Sequence, residues 1–327
     1  MNKKILIVVG IIILIFAAET SALVTIQDSM GLHIDNSTYN IISMSPGNHL
    51  RFMFHDWRIR SYRIHIPPSY DGSTELPLVL ALHGGGGRSK SMESKTGFDE
   101  KADKEGFIVV YPNGICGFFP LRTWNVGFCC GKALEKNVDD VGFIEKLINH
   151  LQNRLNIDPA KIYVTGHSNG AIMAYRLAAE LSDTIAAIAP VVGTIGGYET
   201  EDSELWIIPE PSNPVSVIAV HGKLDENLPY DGGRGNNTGG NRSYLSVNES
   251  IYFWVEHNGC NSFPERDVSE SGNIIIDTYV GGQHMVEVSL VTIMNGGHWW
   301  PGSDKDPYQE ISAADIIWDF FESHPKQ

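Results

Sequence analysis

The stretch Lys161-Ile162-Tyr163-Val164-Thr165-Gly166-His167-Ser168-Asn169-Gly170-Ala171-Ile172 changes periodicity around a single serine. Residues 161–165 form a short β-branched and aromatic run of the kind that fills a strand. Residues 170–181, rich in alanine, read as a helix. Between them lies Gly166-x-Ser168-x-Gly170. A strand-to-helix turn this tight leaves no room for side chains at its two glycines. It holds the serine in strained backbone, with the hydroxyl raised above the end of the sheet. The helix N-terminus behind it favours negative charge at that point. Ser168 is therefore a candidate nucleophile. The bland alternative, a glycine turn with an incidental serine, accounts for neither the strand before nor the helix after.

Working outward, short apolar runs at residues 76–82, 107–111, 185–192 and 215–220 alternate with helical patterns at residues 141–155, 170–181 and 246–257. Apolar runs of this length, separated by helices, imply a mostly parallel central sheet with helices on both faces. Residues 52–66 alternate polar and apolar, which suits antiparallel edge strands. Late strands are expected at 277–279 and 286–294, and a closing helix at 311–321. Residues 23–60 carry little pattern up to residue 52. The Gly/Asn-rich stretch 231–241 reads as an exposed loop. Asp139 or Asp140 is expected to cap the helix that follows.

A serine hydroxyl needs a base to take its proton, and the base needs an acid to orient it. Around such an elbow the chain order is serine, acid, histidine. Of the later histidines, His257 falls inside a helix pattern, His284 between a turn and a strand, and His324 in the C-terminal tail. His298 alone follows a strand within a glycine-rich loop, Asn295-Gly296-Gly297-His298, and is the candidate base. The run 215–220 ends in His221-Gly222-Lys223-Leu224-Asp225, which places Asp225 beyond a strand as the candidate acid, with Glu226 and Asp231 as rivals. The oxyanion formed by attack on a carbonyl needs preorganised donors. The Asn169 N–H is one candidate. The other is Gly84 or Gly85, in the run His83-Gly84-Gly85-Gly86-Gly87 that directly follows a strand. Trp124, Trp299 and Trp300 are candidates for an apolar or stacking wall against the substrate, with core packing as their bland role. His167 and His221, each beside a catalytic position, read as packing or bracing residues.

The 327 residues, 42 % hydrophobic and 19 % charged, suit one globular domain with a sizeable core. A net charge of −15 and the lack of any basic run disfavour a nucleic-acid partner, and none is expected. Lys3 and Lys4 precede an uncharged apolar run over residues 5–18 and then Glu19-Thr20-Ser21-Ala22, an export pattern. That run is shorter than the roughly 20 residues that span a bilayer. Residues 1–22 are therefore expected to be a signal peptide, with an uncleaved N-terminal anchor as the alternative and any membrane contact confined to it. Residues 23–327 form the single catalytic domain. Four cysteines in an exported chain suggest disulfides. A direct Cys129–Cys130 bond closes a strained eight-membered ring, so one of that pair is expected to bond Cys116 or Cys260. No CxxC spacing is present and Asp304-Lys305-Asp306 lacks the ligand count of a calcium loop, so no metal is assigned.

The set of segments resembles the polyhydroxybutyrate-depolymerase-like (LpqC-type) esterases, near the feruloyl and acetylxylan esterases of the α/β-hydrolase superfamily. The resemblance covers roughly residues 58–302. It rests on residues 62–67, then Leu82-His83-Gly84-Gly85-Gly86, Tyr111-Pro112-Asn113-Gly114, Trp124-Asn125, Cys129-Cys130-Gly131 and Val138-Asp139-Asp140-Val141-Gly142-Phe143. It continues through Gly166-His167-Ser168-Asn169-Gly170, then His221-Gly222 with Asp225, and ends on Gly297-His298-Trp299-Trp300-Pro301-Gly302. It implies an α/β-hydrolase fold, secretion, a triad of Ser168, Asp225 and His298, and no cofactor. Expected substrates are small-molecule or polymer-linked esters: short hydroxyalkanoate esters, or acetyl and feruloyl esters of polysaccharide. Acyl transfer to an alcohol, peptide cleavage, or a non-catalytic binding role on a hydrolase scaffold are the alternatives. The loop 230–242 is longer and richer in glycine than the family suggests. Oligomeric state is not legible.

Overall fold

The uninterrupted apolar runs form the middle of one large sheet, because only a strand covered on both faces can be apolar at every position. In the computed structural model the described residues are 44–116, 121–236 and 241–327. The expected segment 1–22 lies outside them. Met44–Gln327 form one compact unit.

The strands are β1 (Gly47–His55), β2 (Arg58–Ile66), β3 (Leu76–Leu82), β4 (Ile108–Pro112), β5 (Ile115–Cys116), β6 (Arg122–Thr123), β7 (Ile157–His167) and β8 (Ala187–Val191). They continue with β9 (Gly196–Tyr198), β10 (Trp206–Ile207), β11 (Ser216–Gly222), β12 (Gly233–Arg234), β13 (Ser243–Tyr244), β14 (Glu265–Val268), β15 (Ile274–Tyr279) and β16 (Val288–Ile293). The helices are α1 (Ser89–Thr96), α2 (Phe98–Glu105), α3 (Gly131–Glu135), α4 (Asp140–Gln152), α5 (Asn169–Glu180), α6 (Val247–Asn258) and α7 (Ala313–Ser323). The main sheet has ten strands in the order β1-β2-β4-β3-β7-β8-β11-β16-β15-β14. Neighbours from β4 to β16 are parallel, and the outer strands at both ends are antiparallel. This is the α/β-hydrolase arrangement expected from the sequence.

Helices α4, α5 and α6 pack one face of the sheet through Phe143, Ile144, Leu147, Ile172, Leu177, Ile251 and Trp254. Helices α1, α2 and α7 pack the other through Met92, Phe98, Ala102, Ile317, Trp318 and Phe321. On that face Trp318 stacks on Phe107 at 4.0 Å between centroids and Phe321 on Tyr163 at 4.6 Å. Such aromatic pairs add about 0.5–1.5 kcal/mol each beyond their burial. The alternating run at 52–66 folds as the β1–β2 hairpin, turned at Asp56 and Trp57, both at positive φ. Ser246 caps α6 in a reciprocal box with Glu249.

The Gly/Asn-rich segment is only partly a loop. Gly233–Arg234 and Ser243–Tyr244 pair within a small four-stranded sheet, β10-β9-β13-β12. Two strands of two residues carry too little alternation to be legible.

The two adjacent aspartates divide their work. Asp139 caps α4, its Oδ1 accepting from the Gly142 N–H at 2.9 Å. Asp140 is instead fully buried: its Oδ1 accepts from Arg60 Nη2 at 2.6 Å and its Oδ2 from the Asn125 N–H at 2.8 Å. The Arg60 guanidinium also lies 3.8 Å from the Phe143 ring centroid. Burial raises the Asp140 pKa, and Arg60 opposes that rise. Removing one partner of a buried pair strands the other charge. Arg60→Ala is thus expected to cost about 3–5 kcal/mol. It would be read as a lowered urea midpoint at unchanged slope; a loss under 1 kcal/mol would mean that water reaches Asp140.

The disulfide expectation is corrected. Cys129 and Cys130 bond each other. Cys116 is an exposed free thiol. Cys260 is also free, its pKa raised to about 11 chiefly by burial, which keeps it from acting as a reactive thiolate.

Candidate active site

Parallel strands deliver their following loops to one edge of the sheet, so residues at the carboxyl ends of neighbouring strands meet there. Ser168 follows β7, the glycine run follows β3, Asp225 follows β11 and His298 follows β16. In the sheet β3 is beside β7, and β11 is beside β16.

Ser168 sits at φ 57° and ψ −120°, the strained turn expected of an elbow. A Cβ at Gly166 would run into the Gly170 carbonyl, and one at Gly170 into the Leu82 carbonyl. The turn therefore accepts no other residue at either position. The Ser168 N–H donates to Val191 O at 3.0 Å, which ties the elbow to the end of β8.

The Ser168 Oγ and His298 Nε2 are 2.9 Å apart, and His298 Nδ1 is 2.8 Å from Asp225 Oδ2. A carboxylate only accepts, so Nδ1 carries the proton and Nε2 is free to accept from the serine hydroxyl. Asp225 is fixed from its other side: Oδ1 accepts from the N–H groups of Asn227 and Leu228 at 2.8 and 2.9 Å. Burial pushes the Asp225 pKa up, but His221 and His298 more than offset it and hold the carboxyl well below the usual range. The rivals stay outside. Glu226 is exposed, and Asp231 pairs with Lys223 at 2.8 Å. The rejected histidines also lie elsewhere. His257 reaches Glu210 at 3.3 Å and His324 reaches Glu287 at 3.6 Å.

The glycine run lies against the elbow. The N–H groups of Gly86 and Gly87 are committed to Arg122 O and Gly84 O, at 2.8 and 2.9 Å. Gly85 faces Asn169, a Cβ there lying 3.8 Å from Asn169 Cβ. Asn169 opens α5, where the first backbone N–H groups have no partner within the helix. The expected donors, Asn169 with Gly84 or Gly85, are thus gathered beside Ser168.

Trp124 departs from the expected substrate wall. It is fully buried and does not line the cleft. Its Nε1–H donates to His83 O at 2.9 Å, and its N–H donates to Asn169 Oδ1 at 2.8 Å. Asn169 returns a bond from Nδ2 to Trp124 O at 3.2 Å and lies 3.6 Å from Cys130 Sγ. Trp124 therefore clamps the glycine run to the elbow. Trp299 is half-buried and lines the cleft. Trp300 touches the cleft but is 1 % exposed, with Phe98 edge-on at 6.0 Å, and is mainly a core residue.

Sequence reasoning missed the bracing roles of Trp124, His83 and the Asn169 side chain. His83 donates from Nδ1 to Gly84 O at 2.8 Å and accepts at Nε2 from the Gly114 N–H at 3.0 Å. Burial pushes it down to about 4, so it is a neutral strut. His167 packs beside His298, with centroids 5.2 Å apart. Burial, and then the charge of Lys95, hold its pKa well below the ordinary value. His221 is buried, its Nε2 3.0 Å from Leu228 O and 3.4 Å from Asp225 Oδ2. Both therefore brace the site, as expected from their places in the sequence. The whole faces an open cleft of about 2110 Å³, whose lining includes Ser168, His298, Leu228, Arg242 and Tyr244.

Known proteins resemble this chain in sequence and in fold. A feruloyl esterase B from Piromyces equi is 27 % identical over 241 residues, covering 73 % of this chain and 42 % of that protein. A feruloyl esterase C from Emericella nidulans is 28 % identical over 272 residues, covering 80 % of this chain and 83 % of that one. Among solved structures, an acetyl xylan esterase from Aspergillus awamori superposes with a TM-score of 0.57 at 16 % identity, over 84 % of this chain and 99 % of that one. The family model described as esterase PHB depolymerase matches residues 60–225, a span that runs from the buried Arg60 through the glycine run and the Ser168 elbow to Asp225. On that match the chain belongs to the esterase PHB depolymerase family.

Proposed function

We propose that this esterase is a serine carboxylic-ester hydrolase that works by two-step acyl transfer to water. The observation that carries the reading is the unbroken line from Ser168 Oγ through both nitrogens of His298 to Asp225, at 2.9 and 2.8 Å. His298 takes the Ser168 proton as the oxygen attacks the ester carbonyl. The N–H groups of Asn169 and of Gly84 or Gly85 receive the developing oxyanion. His298 then gives its proton to the leaving alcohol, and water repeats the sequence on the acyl-enzyme. The likeness to feruloyl and acetyl xylan esterases supports the choice of ester over amide.

The cleft is larger than the roughly 300–1,000 Å³ typical of a small-molecule pocket. That favours an extended ester, such as a short hydroxyalkanoate oligomer or an acetyl or feruloyl group on polysaccharide. Export is part of the same proposal, and its support is the sequence of residues 1–22. Among the described residues no helix is long and apolar enough to cross a membrane.

The test is release of nitrophenolate from short-chain nitrophenyl esters, run beside covalent labelling by a fluorophosphonate. The expected result is a single phosphonyl adduct on the peptide that carries Ser168, with activity lost in proportion. Turnover that survives complete labelling of Ser168 would sink the acyl-enzyme mechanism.

A further inference from the structure

Lys95 lies in the last turn of α1 and lines the cleft. A half-buried ammonium is ordinarily held by a carboxylate. Lys95 has no such partner among the described residues. Its polar contact is His167 Nδ1 at 3.5 Å, on an imidazole held neutral by burial. The charge that acts on it is a second cation, Lys305, in the loop after His298. Burial first, then Lys305, push the Lys95 ammonium down to about 8. A lysine at a helix C-terminus commonly serves the last carbonyls, but this one turns away from them to the imidazole.

Three of the carboxylates that line the cleft are already taken. Glu93 is held by Arg63 at 2.6 Å and Lys90 at 3.0 Å, and Asp315 by Lys101 at 2.9 Å. Asp99 accepts from Tyr111 at 2.7 Å and Asn48 at 3.0 Å. Among the described residues neither Lys95 nor Lys305 forms an ion pair with a carboxylate, and both line the cleft. Their position is specific. A Cβ at Gly84 would lie 3.0 Å from His167 Nδ1 and 3.3 Å from Ser168 Cβ, so the imidazole that Lys95 touches meets the nucleophile and the glycine run. His167 also packs against His298, the group that gives the leaving alcohol its proton.

We propose that Lys95, with Lys305, is an anion subsite for a carboxylate on the alcohol portion of the ester. This rests on the serine-esterase reading and narrows its substrate class to esters of hydroxy acids whose acid end is free. The ammonium anchors the carboxylate while His298 protonates the departing hydroxyl oxygen, leaving a hydroxy-acid anion as first product.

The experiment compares kcat/KM of the full chain on 3-acetoxybutanoate with that on its neutral amide, in the parent, Lys95→Gln and Lys95→Arg. The ratio is an internal control against partial unfolding. A charge-assisted contact predicts a parent preference for the anion of about 10- to 100-fold. Lys95→Gln should bring the ratio near unity, and Lys95→Arg should recover much of it. The parent preference should also fall as pH rises through about 8, because only the protonated amine attracts the anion. An unchanged ratio in Lys95→Gln, or no recovery in Lys95→Arg, overturns the subsite. Equal parent rates on both substrates overturn it too, yet leave the serine-esterase reading standing. Hydrolysis of neither, nor of a nitrophenyl ester, removes both.

Discussion

Ser168→Ala is expected to lower kcat on a short-chain nitrophenyl ester by on the order of 10⁶, while the protein stays folded. The hydroxyl is the only group on the elbow placed to attack, 2.9 Å from the His298 nitrogen that would take its proton. Alanine leaves His298 and Asp225 in place but gives them nothing to deprotonate except water. The residual rate would come from the oxyanion donors and from binding alone, about 10³–10⁴ above the uncatalysed reaction. The strained backbone at φ 57° is imposed by the close approaches at Gly166 and Gly170, so it survives the substitution. Stability should therefore change little. Nitrophenolate release and a thermal melt on the same sample check both halves. A loss below tenfold in folded protein would rule out Ser168 as the nucleophile.

The site is largely legible in the sequence because its chemistry is carried by short local patterns. A serine between two glycines, with a strand before and a helix after, points to a nucleophile elbow and to little else. Likewise, Asp225 and His298 stand just past apolar runs that read as strands. What the sequence hides depends on contacts between segments far apart in the chain. Trp124 and Asn169 are separated by 45 residues and clasp through a backbone–side-chain pair of bonds that no local pattern announces. Arg60 and Asp140 are 80 residues apart, and Asp140 resembles a cap because aspartate is favoured there. Helices α1 and α2 leave no readable periodicity. Ser-Lys-Ser-Met-Glu-Ser-Lys-Thr has one strongly apolar residue, and Phe98 and Ala102 are the only buried side chains of α2. Both helices form because the sheet offers Met92 and Phe98 a place to bury, not because their own sequences ask for it.

Asp225→Asn is expected to cost about 10⁴ in kcat, although it replaces one oxygen by one nitrogen. Asp225 Oδ1 already accepts from two backbone N–H groups, of Asn227 and Leu228. An asparagine must keep its carbonyl oxygen there, since turning its NH₂ toward them would set donor against donor. The NH₂ then faces His298 Nδ1, 2.8 Å away in the parent, and forces that nitrogen to accept. The ring proton moves to Nε2, and the imidazole can no longer take a proton from Ser168. The size of the loss thus comes from a tautomer rather than from a missing contact. Asp231→Asn, by contrast, alters an exposed carboxylate that pairs with Lys223 and should leave kcat within about twofold, as surface ion pairs are worth little. Stability gives a second readout. The folded pKa of Asp225 is depressed, so its ionised form contributes stability that is fully present above the unfolded carboxyl value of about 3.9 and fades as pH falls toward the folded one. The melting difference between parent and Asp225→Asn should therefore hold from neutral pH down to about pH 5 and shrink below pH 4. A kcat loss under tenfold, or an equal loss in Asp231→Asn, would take the orienting acid away from Asp225.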